Sequence, residues 1–164
     1  MLSMSHAITV RPARADELDV VIDLAQRLVD FDRGFDPTLS ATWTSTDEAR
    51  EFYTDRIAGD GVALLAFDGS RALGVLTASL EAEDYSHRTV GTVAELEILY
   101  VDPDARGRGA GKALVLAFTA WARAAGATRL RVNASHENVG AIAFYRGLGF
   151  VDYDVVLECD PPPV

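Results

Sequence analysis

The succession of apolar and polar segments in this 164-residue sequence predicts an α/β (mixed α+β) protein. We expect a central twisted sheet of six or seven strands, mixed but mostly antiparallel, with helices on both faces. Two observations support this. Strand-like and helix-like periods follow one another in the order β-α-α-β-β-β-α-β-α-β. In the middle, an apolar strand pattern runs through a turn and a glycine-rich loop into a long helical pattern.

The first third of the chain alternates between a strand and two helices. Apolar residues recur at helical spacing after Asp16 and again after Thr46, and Ser45 or Thr46 is suited to cap the second helix. The intervening segment has no period and contains glycine and proline. The predicted elements are a strand Ile8–Pro12, a helix from Asp16, a loop Phe31–Trp43 and a helix Thr46–Ile57.

A hairpin and a central strand come next. The turn Asp68–Ser70 has the composition of a tight hairpin connection between two β-rich runs. A polar stretch then separates the hairpin from the most apolar strand of the chain. In order, these elements are Val62–Phe67, Ala72–Glu81, the connection Glu83–Val90 and the central strand Thr92–Val101.

The last third begins with the glycine-rich loop Arg106–Gly111 and its helix, which we expect to end at Gly126. A strand, a short helix and a final strand complete the sheet. These are predicted at Arg129–Ala134, Asn138–Arg146 and Phe150–Glu158. We expect one domain over residues 1–164, with an ordered core at about 7–158 and a proline-rich tail at 159–164.

Composition excludes several classes of protein. The net charge of −10 argues against a nucleic-acid surface, which needs a basic face. No apolar run is long enough to span a bilayer, and the N-terminus lacks the basic and apolar regions of a signal peptide, so we expect a cytoplasmic protein without a membrane partner. The single cysteine, Cys159, rules out an internal disulfide and a cysteine-based metal cluster, and we expect no metal.

The glycine-rich loop has the character of an anion site. Helix N-termini present N–H groups without carbonyl partners at the positive end of the helix dipole, and glycines let a phosphate approach that backbone. Arg106, Arg108 and Lys112 add positive charge. The spacing does not fit a Walker A loop, because Arg106 and Ala113 stand where Gly and Ser or Thr are required, and G-x-G-x-G is not the dinucleotide fingerprint.

Two motifs resemble those of the GNAT (GCN5-related) N-acetyltransferase superfamily. The loop matches the family's acyl-CoA signature R/Q-x-x-G-x-G/A through Arg106, Gly109 and Gly111. Further along, the chain resembles the family's N-x-x-A-x-x-x-Y-x-x-x-G-F pattern through Asn138, Ala141, Tyr145, Gly149 and Phe150. The predicted element order is also that of the family, although a second strand after Phe150 is missing.

The resemblance implies acetyl-CoA as the co-substrate. In the family, the pantetheine arm lies along the end of the fourth strand, and the pyrophosphate binds backbone N–H groups of the loop. The positions of this chain that match are Leu99, Tyr100, Val101, Arg106, Gly107, Arg108, Gly109, Ala110, Gly111, Lys112 and Asn138. A backbone N–H at the strand end would also polarise the thioester oxygen.

The resemblance further implies that Tyr145 protonates the departing thiolate and that Glu97 accepts the proton of the amine through water. The two-residue period of a strand places Glu95 on the same face as Glu97, with Ala94, Leu96 and Ile98 on the other. Two carboxylates on an apolar strand are costly unless they are solvated or used. Which of the two is the base stays open from the sequence.

We expect the acceptor to be a primary amine of a small, cationic molecule or peptide. The candidate substrate-binding residues are Asp32, Asp36, Glu95 and Tyr85. The mouth of the site would be anionic because of Asp30, Asp32, Asp36, Glu83 and Asp84. An acyl-CoA sensor without chemistry is the alternative, and transfer to a hydroxyl or of a longer acyl chain is a third reading. Family members often pair through sheet edges, so the resemblance is also consistent with a homodimer.

Overall fold

The computed structural model describes residues 7–82 and 91–160. It contains two compact units, Met1–Asn133 and Ala134–Val164, and each is taken by itself. The described residues of the first unit form one five-stranded sheet and three α-helices. The strands are β1 (Ile8–Pro12), β2 (Val62–Asp68), β3 (Arg71–Ala82), β4 (Thr92–Val101) and β5 (Arg129–Val132). The helices are α1 (Leu18–Asp32), α2 (Asp47–Ala58) and α3 (Ala110–Ala124).

The strands lie in the sheet in the order in which they occur in the chain, from β1 to β5. The first three pairings are antiparallel, and β4 and β5 run parallel. The β2–β3 hairpin turns at Gly69 and Ser70, where Gly69 has a φ of 60°. The mixed, mostly antiparallel sheet predicted from the sequence is therefore confirmed.

Helices cover both faces of this sheet. On one face, α1 and α2 bury a cluster with residues of β2, β3 and β4, among them Val75 and Tyr100. On the other face, α3 packs so closely that a Cβ at Gly74 would lie 3.3 Å from Leu114 Cδ1. Because both faces are covered, Val62–Phe67 is buried at every position. Thr46 caps α2, since its side-chain oxygen accepts from Ala49 N.

A β-bulge interrupts the pairing of β3 with β4. Thr77 lies opposite Ile98 and Ala78 lies opposite Leu96, so Glu97 is the extra residue on β4. Ile98 packs against the α1/α2 cluster, and Glu97 contacts Thr77 on the same face. The expectation that Ile98 faces away from Glu97 is therefore wrong, because the bulge breaks the two-residue alternation of the strand.

The second unit contains α4 (Val139–Gly147), close to the helix predicted there. The strand predicted at Phe150–Glu158 is wrong for the described part of the chain, since residues 150–160 form no strand and 151–160 are all exposed. A strand needs a hydrogen-bonded neighbour, and the alternation of Val151, Tyr153 and Val155 shows only propensity. Among the described residues the sheet has five strands, not six or seven.

Candidate active site

The junction between β4 and α3 provides the backbone of the candidate site. After β4 the chain makes a short 3-10 turn at Pro103–Ala105 and then passes through Gly107 and Gly109, whose φ angles are 73° and 88°. Such left-handed angles strongly favour glycine. Gly109 is the N-cap of α3, and its carbonyl accepts from Ala113 N at 2.9 Å. The N–H groups of Ala110, Gly111 and Lys112 thus belong to the first turn of the helix.

The basic residues around this loop differ in what they contact. Arg106 donates from Nε to the Val101 carbonyl at 3.0 Å, and its guanidinium lies over the ring of Phe31. Arg108 donates to Asp68 at 2.6 Å. Lys112 is exposed on the first turn of α3. Two of the three predicted cations therefore also hold the loop to its own chain.

Asp102 fixes the point where the strand becomes the loop. It is only 4% exposed, and its two carboxylate oxygens accept from Arg27 and Arg71, each at 2.9 Å. Its backbone N–H donates to the Leu73 carbonyl of β3. The burial of Tyr100 and, after it, the charge of Asp102 raise the pKa of the Tyr100 phenol. The sequence showed Asp102 only as the first residue of a turn, because its two arginines are distant along the chain.

One edge of β4 is open over its second half. The β3 side is paired from Thr92 to Val101, with the bulge at Glu97. On the β5 side, pairing in the described sheet covers only Val93–Leu96. Asp102 N donates to β3, so the alternation of a strand directs the backbone groups of Tyr100 to β3 as well and those of Leu99 and Val101 to the other side. Leu99 and Val101 have no strand partner there among the described residues, and the Val101 carbonyl accepts from Arg106. The open edge leads directly to the glycine loop, as an extended ligand with a terminal phosphate group would require.

Glu97 is held tightly by a cation. Its carboxylate accepts from Arg56 NH2 at 2.7 Å and from Arg56 Nε at 2.9 and 3.1 Å, and from the Thr77 hydroxyl at 3.2 Å. Arg56 also contacts Asp55 and lies 4.4 Å from the ring centroid of Phe52. Arg56 was not among the residues predicted for the site. In the sequence Arg56 is one polar residue near the end of an amphipathic helix, and nothing there indicates that Glu97 is its partner.

Glu95 lies on the same face in a different environment. Its Oε1 accepts from the Asn133 amide at 2.7 Å, and its Oε2 lies 3.6 Å from Arg131 NH1. Burial raises the pKa of Glu95, the charges of Glu81 and Glu97 raise it further, and the Asn133 hydrogen bond acts in the opposite direction. Asn133 also escaped prediction as a partner, because only the parallel register of β4 and β5 brings it there.

An aromatic group borders the Glu97 corner. Trp43, Phe52 and Tyr53 make edge-to-face contacts with one another. The Tyr53 hydroxyl is buried without a hydrogen-bond partner among the described residues. Burial and then the charge of Glu97 raise the pKa of Tyr53 to about 12. This side of Glu97 is therefore apolar, which strengthens its ion pair with Arg56.

The predicted acceptor residues fall in different places. Asp32 ends α1 and is half-buried, and burial raises the pKa of its carboxyl. Asp36 follows in the next turn, where two hydrogen bonds from Thr38 lower its pKa. Asp36 N donates to the Asp32 carbonyl, so these two positions are neighbours. Tyr85 lies outside the described residues.

The second unit carries the remaining predicted residues. Asn138 is the N-cap of α4, with its side-chain oxygen accepting from Ala141 N at 3.1 Å. Tyr145 is 8% exposed, and its ring makes edge contacts with Phe144 and Phe150. The role of Tyr145 as proton donor and that of Asn138 toward CoA stay predictions.

Comparison with known proteins bears on this site. The profile of the Acetyltransferase (GNAT) family matches residues 28–150, which span the helix α1 end, the whole sheet after β1, the glycine loop and α4. That is well over half of the chain. The chain belongs to this family. The GNAT assignment made from the two motifs is therefore confirmed.

Individual GNAT relatives are 29–34% identical to this chain over the residues that align. An aminoglycoside N(6')-acetyltransferase type 1 of Stenotrophomonas maltophilia is 34% identical over 119 residues, which cover 70% of this chain and 76% of that protein. A mycothiol acetyltransferase of Pseudarthrobacter chlorophenolicus is 30% identical over 72% of this chain and 36% of its own length. An uncharacterized N-acetyltransferase of Methanocaldococcus jannaschii is 29% identical, and the match spans 62% of it.

Solved structures show the same fold. The aminoglycoside N-acetyltransferase AAC(6')-Iy in complex with CoA superposes with a TM-score of 0.74 at 21% identity, over 98% of both chains. A BH1408 protein variant from Bacillus halodurans has a TM-score of 0.80 at 16% identity, over 93% of this chain and 99% of that one.

Among the residues 7–82 and 91–160, no helix is long and apolar enough to cross a membrane.

Proposed function

We propose that this protein is an acetyl-CoA-dependent N-acetyltransferase that transfers an acetyl group directly to a primary amine of a small molecule or peptide. The observation that carries the proposal is the open edge of β4 at Leu99–Val101, which runs directly into the glycine loop at the N-terminus of α3. Acetyl-CoA has matching chemistry, an extended arm with amide groups and a pyrophosphate.

The chain's own groups suit this ligand. Backbone groups of Leu99 and Val101, on either side of Tyr100, would pair with the amides of the arm, and the N–H groups of Gly107–Lys112 would bind the pyrophosphate. In the part of the chain that the structure describes, a Cβ added at Gly107 or Gly109 would meet no atom within 4 Å beyond the adjacent residues, which supports a backbone open to a ligand. Asn138 would contribute from the loop before α4.

In the proposed reaction the amine nitrogen bonds to the acetyl carbon and the carbon–sulfur bond breaks. A carboxylate of β4 takes the proton of the amine, since a free amine with a pKa near about 10 is mostly ammonium at neutral pH. The Tyr145 hydroxyl gives a proton to the thiolate. The N–H groups at the end of β4 stabilise the oxyanion.

A cationic amine is the acceptor class we favour. The relatives named as aminoglycoside acetyltransferases support a small polyamine-like acceptor, and the mycothiol enzymes support amine acetylation more broadly. Asp32, Asp36 and Glu95 carry the negative charge proposed to attract such a molecule, and Tyr85 is proposed to line the same mouth.

The test combines calorimetry with a thiol-release assay. Purified protein is titrated with acetyl-CoA and then assayed for CoA release with a panel of aminoglycosides, polyamines, amino acids and basic peptides. Micromolar binding with acceptor-dependent release supports the proposal. Tight binding without release for any acceptor would favour the sensor, and absence of binding would overturn the site itself.

Tyr145→Phe separates the transferase from the sensor. Because this change removes the hydroxyl proposed to donate the proton and keeps the ring, we expect kcat to fall by about 100-fold with acetyl-CoA affinity unchanged. Phe144→Leu, at the adjoining position of the same helix, is the matched control and should retain kcat. Equal losses in both variants would contradict a role for the Tyr145 hydroxyl.

A further inference from the structure

Glu95 and Glu97 have nearly the same exposure but very different partners. Their side chains are 14% and 18% exposed, and both lie on the α1/α2 face of β4. A general base must be ionised at working pH and must also be able to take up a proton at little cost. The partners of each carboxylate therefore decide which of the two can serve.

Glu97 is poorly suited to accept a proton. Both of its oxygens accept from Arg56, and Oε2 also accepts from Thr77, a residue with no exposed surface. The side chain of Arg56 is only 15% exposed. Protonating Glu97 would break a bidentate ion pair and leave a guanidinium without its main partner in a mostly dry corner.

Glu95 is better placed to accept a proton. Oε1 accepts from the neutral amide of Asn133, and among the described residues no donor lies within hydrogen-bond distance of Oε2. The charged groups that face it are Glu81 from β3, Glu97 from β4 and Arg131 from β5. Arg131 is shared, since it lies 3.7 Å from Glu81 as well. Burial, and after it the charges of Glu81 and Glu97, raise the pKa of Glu95, which favours uptake of a proton.

We infer that Glu95 is the catalytic residue that accepts the proton of the acceptor amine, and that Glu97 is a positioning residue that acts through Arg56. The proton leaves the amine nitrogen and ends on a Glu95 carboxylate oxygen, directly or through one water. This inference rests on the proposed function, and it assigns the roles of the two acids within that site.

The positioning role follows from the bulge. Glu97 is the extra residue of β4 opposite the Thr77–Ala78 step, and its carboxylate ties that point to α2 through Arg56 and to β3 through Thr77. The open edge begins immediately after it. Loss of the tie is therefore expected to weaken acetyl-CoA binding rather than proton transfer.

The test is the pH dependence of kcat/KM together with the Kd for acetyl-CoA in four variants of the full chain. For Glu95→Gln, kcat should fall by at least about 100-fold, and the Kd for acetyl-CoA should stay within about twofold of wild type. The acidic limb, meaning the fall in kcat/KM at low pH, should disappear in this variant. Glu97→Gln should keep the limb at the wild-type pH and weaken acetyl-CoA binding by about tenfold. The reverse pattern would overturn the inference.

Two further variants keep the test decisive if Glu97→Gln does not fold. Asn133→Ala removes the hydrogen bond that favours ionised Glu95, so the acidic limb should move to higher pH. Arg56→Lys retains the charge beside Glu97 and should leave the limb in place. The inference would be overturned if the acidic limb shifted in Arg56→Lys and did not shift in Asn133→Ala. Absence of turnover in wild-type protein would instead overturn the proposed function, and this inference with it.

Discussion

Two carboxylates near opposite ends of β4, Asp102 and Glu95, differ in how they are bound. Asp102, just after the strand, is 4% exposed and binds two arginines as well as the β3 backbone. Among the described residues, Glu95 near the start accepts one hydrogen bond, from the neutral amide of Asn133, and its charged neighbours are Glu81, Glu97 and Arg131. An acid that binds two arginines fixes the backbone in place, whereas an acid bound by a neutral amide takes up a proton at lower cost. The stabilising acid and the proposed proton acceptor thus lie near opposite ends of one strand.

Removing the charge of Asp102 should have the largest effect on stability. In Asp102→Asn, Arg27 and Arg71 face an amide that cannot accept both of them, and we expect a loss of about 3 kcal/mol in the free energy of unfolding. Asp104→Asn is the control, because Asp104 also binds Arg71 but is exposed, and its cost should be below about 1 kcal/mol. Urea unfolding measures both. Equal losses of stability in the two variants would contradict a stabilising role for the contacts of Asp102 with Arg27 and Arg71.

Arg56→Met tests the second fully paired acid. It leaves Glu97 without its cation in an apolar corner, so we expect the free energy of unfolding to fall by about 2 kcal/mol. Arg50→Met is a matched control from the same helix, since Arg50 forms an exposed ion pair with Asp19 and should cost less than about 0.5 kcal/mol. If Arg56→Met were as mild as its control, the ion pair would not hold the bulge.

Glu17 gives the pH dependence of a fully paired acid. Hydrogen bonds from Arg11 are the main cause of a pKa lowered to about 2, with the Arg14 backbone contributing. Because the unfolded pKa lies near about 4.3, this stabilisation is fully present above that pH and is lost as pH falls through about 2. Glu17→Gln should therefore cost about 1 kcal/mol at pH 6 and clearly less as the pH falls to about 2. A difference that persists at low pH would refute the assignment.

Glu95→Gln should have the smallest effect on stability of these variants, and it should stabilise the protein rather than destabilise it. Its folded pKa is raised, so the folded state holds the proton more tightly than the unfolded state, and wild-type stability falls as pH rises through that window. Replacing the acid removes this loss. We expect thermal unfolding of Glu95→Gln to match wild type below pH 4 and to occur at slightly higher temperature at pH 7. Destabilisation at pH 7 would show that Glu95 is structural.

The sequence was sufficient for the fold and for the glycine loop. Local spacing determined the helices, the hairpin and the strand–loop–helix junction, because each depends on residues close together in the chain. The bulge at Glu97 and the ion pair with Arg56 could not be foreseen, since residue 56 lies in a helix and its partner 41 positions later in a strand. The final strand was overpredicted, because apolar alternation at Val151–Val155 shows propensity and not a partner.

The parallel pairing of β4 with β5 has a consequence for the order of folding. The β2–β3 hairpin closes through two turn residues, whereas Val93 must meet Arg129 across 36 intervening steps of chain that include the glycine loop and α3. Such closure is entropically slow and follows the local contacts. The candidate phosphate loop would therefore take its final shape in the last stage of folding. Refolding in the presence of CoA should leave the rate and amplitude of the early kinetic phase unchanged and should increase the amplitude of the late phase only.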